Sequence, residues 1–296
     1  MIKKYENKKN SSKKQIKFNK LTNVTMKFIN HPFQIVESSP WPFTIGMSAF
    51  MYMSLNAIFL SYGCQNFYSN SMLKFPYQLS FIILVLSMFM WWYDMIQESV
   101  IEGAYTEKVQ LNISIGMFLF ILSEVMFFFG FFWAFFHFSL NPSDAIQGNW
   151  PPVSIESIYA YGLPLINTFI LLSSGITLTW SHVALLKKNK NESLFGLFLT
   201  IFLGLVFTHI QFIEFYLAKF TIADSAYGSV FYMLTGLHGF HVVIGTIFLS
   251  IAFIRMILNF FNKSRFSNFE LAIWYWHFVD IVWLFVFSFI YCWGNN

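Results

Sequence analysis

Glu124 stands in the run Phe120-Ile-Leu-Ser-Glu-Val-Met-Phe-Phe-Phe129, a carboxyl among side chains that are nearly all apolar. Eight further ionisable groups interrupt apolar stretches: His137, His182, His209, Glu214, His238, His241, His277 and Asp280. Placing a charge in hydrocarbon costs several kcal/mol, so such groups relay protons, bind something, or pair and hydrogen-bond as neutral species. Glu124 lies about 15 residues from the nearer end of its predicted helix, which at roughly 1.5 Å per residue is close to a bilayer centre. No cation lies within one turn of it on that helix. It is expected to be neutral, and it is the candidate for a proton-related role; a single packing hydrogen bond is the simpler alternative.

His238 and His241, spaced i, i+3, share one helix face. They could form half of a metal site, but no third ligand stands near them in the sequence, so no metal is expected. Packing is the simpler reading, with Gly236, Gly239 and Gly245 letting helices approach and the imidazoles hydrogen-bonding across. His277 and Asp280 are also i, i+3 and could pair locally. His182, His238, His241, His277 and Asp280 are therefore read as structural buried polar groups. Ser174, Thr177 and Ser181 form a small polar stripe that suits helix contact. Asp94 and Glu98 stand one turn apart beside Trp91 and Trp92, as a solvated helix end or as a contact for a lipid headgroup or partner.

The elements that must position these groups span a membrane. Hydrophobic residues make up 56% of the 296 residues and charged ones 11%, against about 25% charged in soluble domains. Seven apolar segments are predicted, at about 42–62, 76–97, 110–138, 159–186, 194–217, 227–260 and 270–293. Each reaches the roughly 20 residues that cross a hydrocarbon core. Their continuous apolar character disfavours a β-barrel, whose strands alternate. The fold class is all-α and polytopic. Trp41, the run Trp91-Trp92-Tyr93, Trp150, Trp274 and Trp293 read as interfacial anchors.

The net charge of +4 comes from residues 1–30, which hold nine Lys and one Glu. That tail reads as disordered; it lacks the short apolar core of a secretory signal and the Arg of a transit peptide. With the tail inside, sixteen of the eighteen Lys and Arg fall in inside segments and only Lys74 and Lys219 fall outside. That split predicts the N-terminus inside and the C-terminus outside. Nucleic-acid binding is not indicated. The two cysteines, Cys64 and Cys292, make neither a CxxC pair nor a disulfide framework.

Several motifs in series resemble subunit III of the haem–copper cytochrome c oxidases. They are Pro40-Trp41-Pro42, Trp91-Trp92-Tyr93-Asp94 with Glu98-Ser99, Ser123-Glu124-Val125, Gly130-Phe-Phe-Trp-Ala134, Trp150-Pro151-Pro152 and Thr179-Trp180-Ser181-His182. Phe220-Thr221-Ile222-Ala-Asp224, Tyr227-Gly228, Gly236-Leu-His238-Gly239-Phe-His241 and Trp274-Tyr275-Trp276-His277-Phe278-Val279-Asp280 follow. The likeness runs from about His31 to Gly294 and leaves out the Lys-rich tail.

The resemblance implies a tail at 1–30, two helices within 31–100 and a five-helix bundle within 101–296. It implies that the two groups splay into a V-shaped cleft holding phospholipids. The subunit would carry no redox centre, pack against the catalytic haem–copper subunit I, support proton uptake and protect that subunit from inactivation. Haem and copper would belong to partner subunits. Trp91, Trp92, Asp94, Glu98 and Arg255 would bind lipid. Gln97 stands where the family usually has a basic residue, Tyr93 where it often has Arg, and Ala104 and Tyr105 where it has a His pair. The mitochondrial inner membrane, with the N-terminus in the matrix, is the expected location, and a bacterial plasma membrane the alternative. From another class, a stand-alone proton-coupled transporter could use Glu124, Glu214 and the buried histidines, but such proteins often show broken helices and internal repeats, and neither is evident. A catalytic haem subunit would need more ligand histidines than this chain has.

Overall fold

A computed structural model describes residues 38–62, 71–100, 105–142, 148–258 and 267–294. The basic tail, Cys64, Ala104, Lys263 and Arg265 lie outside these residues. All regular structure among the described residues is helical: α1 Trp41–Tyr62, α2 Ser71–Val100, α3 Glu107–Leu140, α4 Leu163–Leu186, α5 Lys190–Leu217, α6 Ala226–Ile257 and α7 Ser267–Val286. A π-helical segment, Phe287–Trp293, continues α7. Among the described residues seven helices are long and apolar enough to cross a membrane. They expose Phe, Leu, Ile and Trp along their lengths, a surface that water would not tolerate and lipid does.

The observed bounds differ from the predicted spans mainly at polar ends. Lys190, Asn191 and Glu192 form the first turn of α5, where Glu192 meets the positive end of the helix dipole. The fourth span starts at Leu163, with Pro164 in its first turn, where a missing N–H costs nothing. The residues just before it form turns.

The chain divides into two compact units, residues 1–112 and 113–296. In the first, α1 and α2 pack as an antiparallel pair. Leu55 is buried with Ser48, Ser80 and Ser87, and the small serine side chains let backbones approach. Tyr77 stacks on Tyr52 with ring centroids 5.2 Å apart, and its hydroxyl donates to Asn56 Oδ1 at 3.3 Å.

In the second unit α7 is central and α3 peripheral: half of the α7 span is buried against 6% of the α3 span. Trp276 is the pivot. It is fully buried, its Nε1 donates to Ser174 Oγ on α4 at 3.0 Å, and its ring lies where any side chain at Gly204 of α5 or Gly245 of α6 would sit. The serine–threonine stripe on α4 completes the α4–α5 contact. Thr177 and Thr200 hydroxyls lie 2.9 Å apart, and Ser181 Oγ donates to the Ser193 carbonyl at 2.8 Å. A Cβ at Gly196 would press on Ser181 and the Thr177 carbonyl.

One expectation fails here. A Cβ at Gly236 or Gly239 would meet nothing within 4 Å, so close helix packing explains only Gly245 of the three. Trp150 also packs inward: it is half-buried, its ring contacts Phe135 at 5.7 Å and Tyr227 at 5.3 Å, and its Nε1 is buried.

The loop before α6 explains another motif. Thr221 N donates to Asp224 Oδ2 at 2.6 Å, Ser225 caps α6 by accepting from Gly228 N at 3.3 Å, and Tyr232 donates to the Phe220 carbonyl at 2.8 Å. A side chain at position 228 would collide with the Thr221 carbonyl.

Candidate functional site

Glu124 sits midway along the 34 residues of α3. Its partner comes from α6: Glu124 Oε2 lies 2.9 Å from His241 Nε2. The other ring nitrogen, Nδ1, lies 2.7 Å from the Leu237 carbonyl. A carbonyl only accepts, so Nδ1 carries a hydrogen. The Nε2···Oε2 contact then holds one proton, either on the carboxyl facing a neutral imidazole or on an imidazolium facing a carboxylate. In both forms the pair is neutral overall, which satisfies the cost of placing charge in an apolar surround.

The pair's side chains are 7% (His241) and 21% (Glu124) exposed. Phe128 contacts the imidazole at 5.1 Å and Tyr275 stacks on it at 6.3 Å. Glu124 and His241 line a groove of about 340 Å³ whose other walls include Met117, Phe120, Phe127 and Phe240. A polar, proton-holding pair thus faces an apolar channel between α3 and α6.

His238, one turn earlier, does not hydrogen-bond across helices as expected. It is fully exposed to neither water nor a partner: both ring nitrogens are buried without a hydrogen bond among the described residues. It packs as a flat ring against Trp283 at 5.0 Å and Phe207 at 5.7 Å. His277 Nδ1 stands 3.7 Å from Asp280 Oδ2, and Asp280 is buried so close to α4 that a Cβ at Gly175 would lie 2.7 Å from that oxygen. His182 is half-buried, with its ring 6.2 Å from Phe269. Among the described residues no three His, Cys, Asp or Glu side chains converge as a metal site would need.

A second polar cluster gathers residues that spacing alone did not connect. Tyr291 donates to Glu214 Oε1, Gln211 Nε2 donates to the same oxygen at 3.2 Å, and Asn167 Nδ2 reaches Gln211 Oε1 at 3.4 Å. Gln211 and Glu214 at i, i+3 were the legible signal. Tyr291 and Asn167, on other helices, gave none.

In the first unit, Trp91 and Trp92 are partly exposed and Asp94 Oδ2 accepts from Ser39 Oγ at 3.3 Å. Burial, and then the negative charge of Glu98, pushes the Tyr105 phenol above its usual range, so Glu98 and Tyr105 stand close. In the second unit, Arg255 occupies the last turn of α6. A groove of about 1050 Å³ runs along α3 and α7, walled by Phe118, Phe129, Trp133 and Phe285, with His137 and His277 on its lining. Its dimensions and apolar walls suit acyl chains.

The sequence model of the family described as cytochrome c oxidase subunit III matches residues 31–295. Proteins named cytochrome c oxidase subunit 3 are similar to this chain over about 90% of its length. The one from Anopheles gambiae is 47% identical over 266 residues, covering 90% of this chain and 98% of that protein. The one from Prototheca wickerhamii is 44% identical over 265 residues, with the same coverage. The one from Chondrus crispus is 45% identical over 276 residues, covering 93% of this chain and 99% of that protein.

Proposed function

Since the chain belongs to the cytochrome c oxidase subunit III family, we propose that it serves as the non-catalytic core subunit III of a respiratory oxidase that passes electrons from cytochrome c to oxygen. Membership makes it a multi-pass membrane subunit that assembles with other oxidase subunits. The finer roles are these: it packs on the catalytic haem–copper subunit I, binds phospholipids, supports proton uptake and stabilises its partner. Haem and copper belong to the partners. The setting is the mitochondrial inner membrane with the N-terminus in the matrix.

The observation that carries this reading is the continuity of the match, which takes in all seven apolar helices. It leaves the stand-alone transporter without support. Within the reading, the apolar groove along α3 and α7 takes acyl chains. Trp91, Trp92, Asp94 and Glu98 meet headgroups, as does Arg255 at the end of α6. Glu124 and His241 hold one proton between them at mid-helix, a store that a neighbouring uptake route could draw on when water reaches it. Affinity purification of the tagged chain in mild detergent tests the assignment. Co-elution of stoichiometric haem- and copper-bearing subunits is expected; a chain that elutes alone from respiring membranes overturns it.

A further inference from the structure

Glu214 is 2% exposed, yet only one of its carboxyl oxygens is occupied. Oε1 accepts from both Tyr291 and Gln211. Oε2 is buried and meets no hydrogen-bond partner among the described residues. Leaving a buried polar atom unsatisfied is costly, and more so for a charge. As a carboxylate, Oε2 needs a donor; as a carboxylic acid, its O–H needs an acceptor. Water is the small ligand that serves both forms.

Glu214 is among the residues that line a cavity of about 280 Å³ at the end of the bundle where α5 finishes and α4 begins, walled also by Ser157, Tyr159, Gly162 and Leu163. That is room for several waters, each taking about 30 Å³ of liquid. Lys219 and Glu156 also line it, paired at 2.5 Å with their side chains 71% and 70% exposed, so the cavity runs from a solvated ion pair to the residue that carries the buried carboxyl. We infer that this cavity is a hydration site, in which water from the adjoining aqueous phase hydrogen-bonds Glu214 Oε2. The Asn167–Gln211–Glu214–Tyr291 chain is then a hydrated polar network rather than a dry one. It uses α4, α5 and the end of α7, and not the α3–α6 groove of the Glu124–His241 pair.

Radiolytic labelling tests this on the detergent-solubilised assembly as purified, because bound water makes hydroxyl radicals where it sits. Tyr291 and Trp276 are both fully buried, and tryptophan is the more reactive side chain. With water at Glu214, Tyr291 oxidises several-fold faster than Trp276. Ser157→Trp, which fills the cavity from its wall, lowers the Tyr291 rate several-fold and leaves Trp276 unchanged. Tyr291 labelling no faster than Trp276 in the unaltered chain means a dry carboxyl and overturns the inference, whichever subunits co-purify.

Discussion

Glu124 on α3 and His241 on α6 meet at 2.9 Å although 117 residues separate them in the chain. The contact matters structurally because α3 is the least buried span of its unit. It is held largely by long aromatic side chains such as Phe128 and Phe135, and the carboxyl–imidazole pair is its polar tie to α6. His241→Phe removes the partner and leaves a carboxyl in an apolar groove, at a cost of about 1–3 kcal/mol. In a double-mutant cycle with Glu124→Leu, the second substitution is expected to cost much less than the first, since no polar group is then stranded. Thermal dissociation of the assembly measures this, and additive losses would show that the two residues do not act as a pair.

The glycines divide into those that are filled against and those that are not. A Cβ at Gly204 would lie 2.5 Å from Thr246 Cγ2 and 2.7 Å from Trp276. Gly204→Ala must shift the central tryptophan and is expected to destabilise by about 1–3 kcal/mol. Gly236→Ala meets open space and gains roughly 0.5–1 kcal/mol of helix propensity. Comparing the melting of the two variants checks the contrast. Equal losses at both positions would point to a neighbour packed on Gly236 in the assembly.

Much of this was legible in sequence, for physical reasons. Continuous apolar runs located all seven described helices, and their ends were misread where polar residues such as Lys190 and Glu192 begin a helix and where residues 160–162 form turns before Leu163. Glu124 was legible because a carboxyl at that depth has few uses. Its partner was not: no local spacing links position 124 to 241, and His241 shares its face with His238, whose nitrogens bond to nothing described. Small residues proved ambiguous, since Gly245 faces Trp276 while Gly239 faces open space. Trp150 carries the same sequence signal as an interfacial anchor but packs on Phe135 and Tyr227.

The charge distribution predicts sidedness. With the N-terminus inside, sixteen of the eighteen Lys and Arg fall inside, and the last helical turn, which contains Cys292, is expected at the outer face. Cys64 lies outside the described residues; its place in the sequence predicts the same face for it. A membrane-impermeant maleimide added to sealed vesicles of known orientation is expected to reach both from the outer face. Labelling of either cysteine only from the inner face reverses the topology.

Lipid preference follows from the residues at the end of α2. Asp94 and Glu98 are acidic there, and Tyr93 and Gln97 beside them carry no charge. Amine-bearing or zwitterionic headgroups fit this charge better than anionic ones. Native mass spectrometry of the assembly is expected to retain such lipids and to lose them with Glu98→Gln. Retention of anionic lipids alone, lost on the same substitution, contradicts the preference.

The proton role of Glu124 can be separated from its structural role. Glu124→Gln keeps the length and can still donate an amide hydrogen to His241 Nε2, which is free to accept because Nδ1 donates to the Leu237 carbonyl at 2.7 Å. The contact therefore survives while the proton held between the two groups is lost, and the variant is expected to assemble normally. As pH rises, the bulk phase supplies fewer protons, and a group that stores one near an uptake route contributes proportionately more. Turnover of the variant should match the unaltered assembly at low pH and fall progressively below it as pH increases. If turnover follows an identical pH profile in both assemblies, the proton role is wrong, and the pair is left as the tie that fastens α3 to α6.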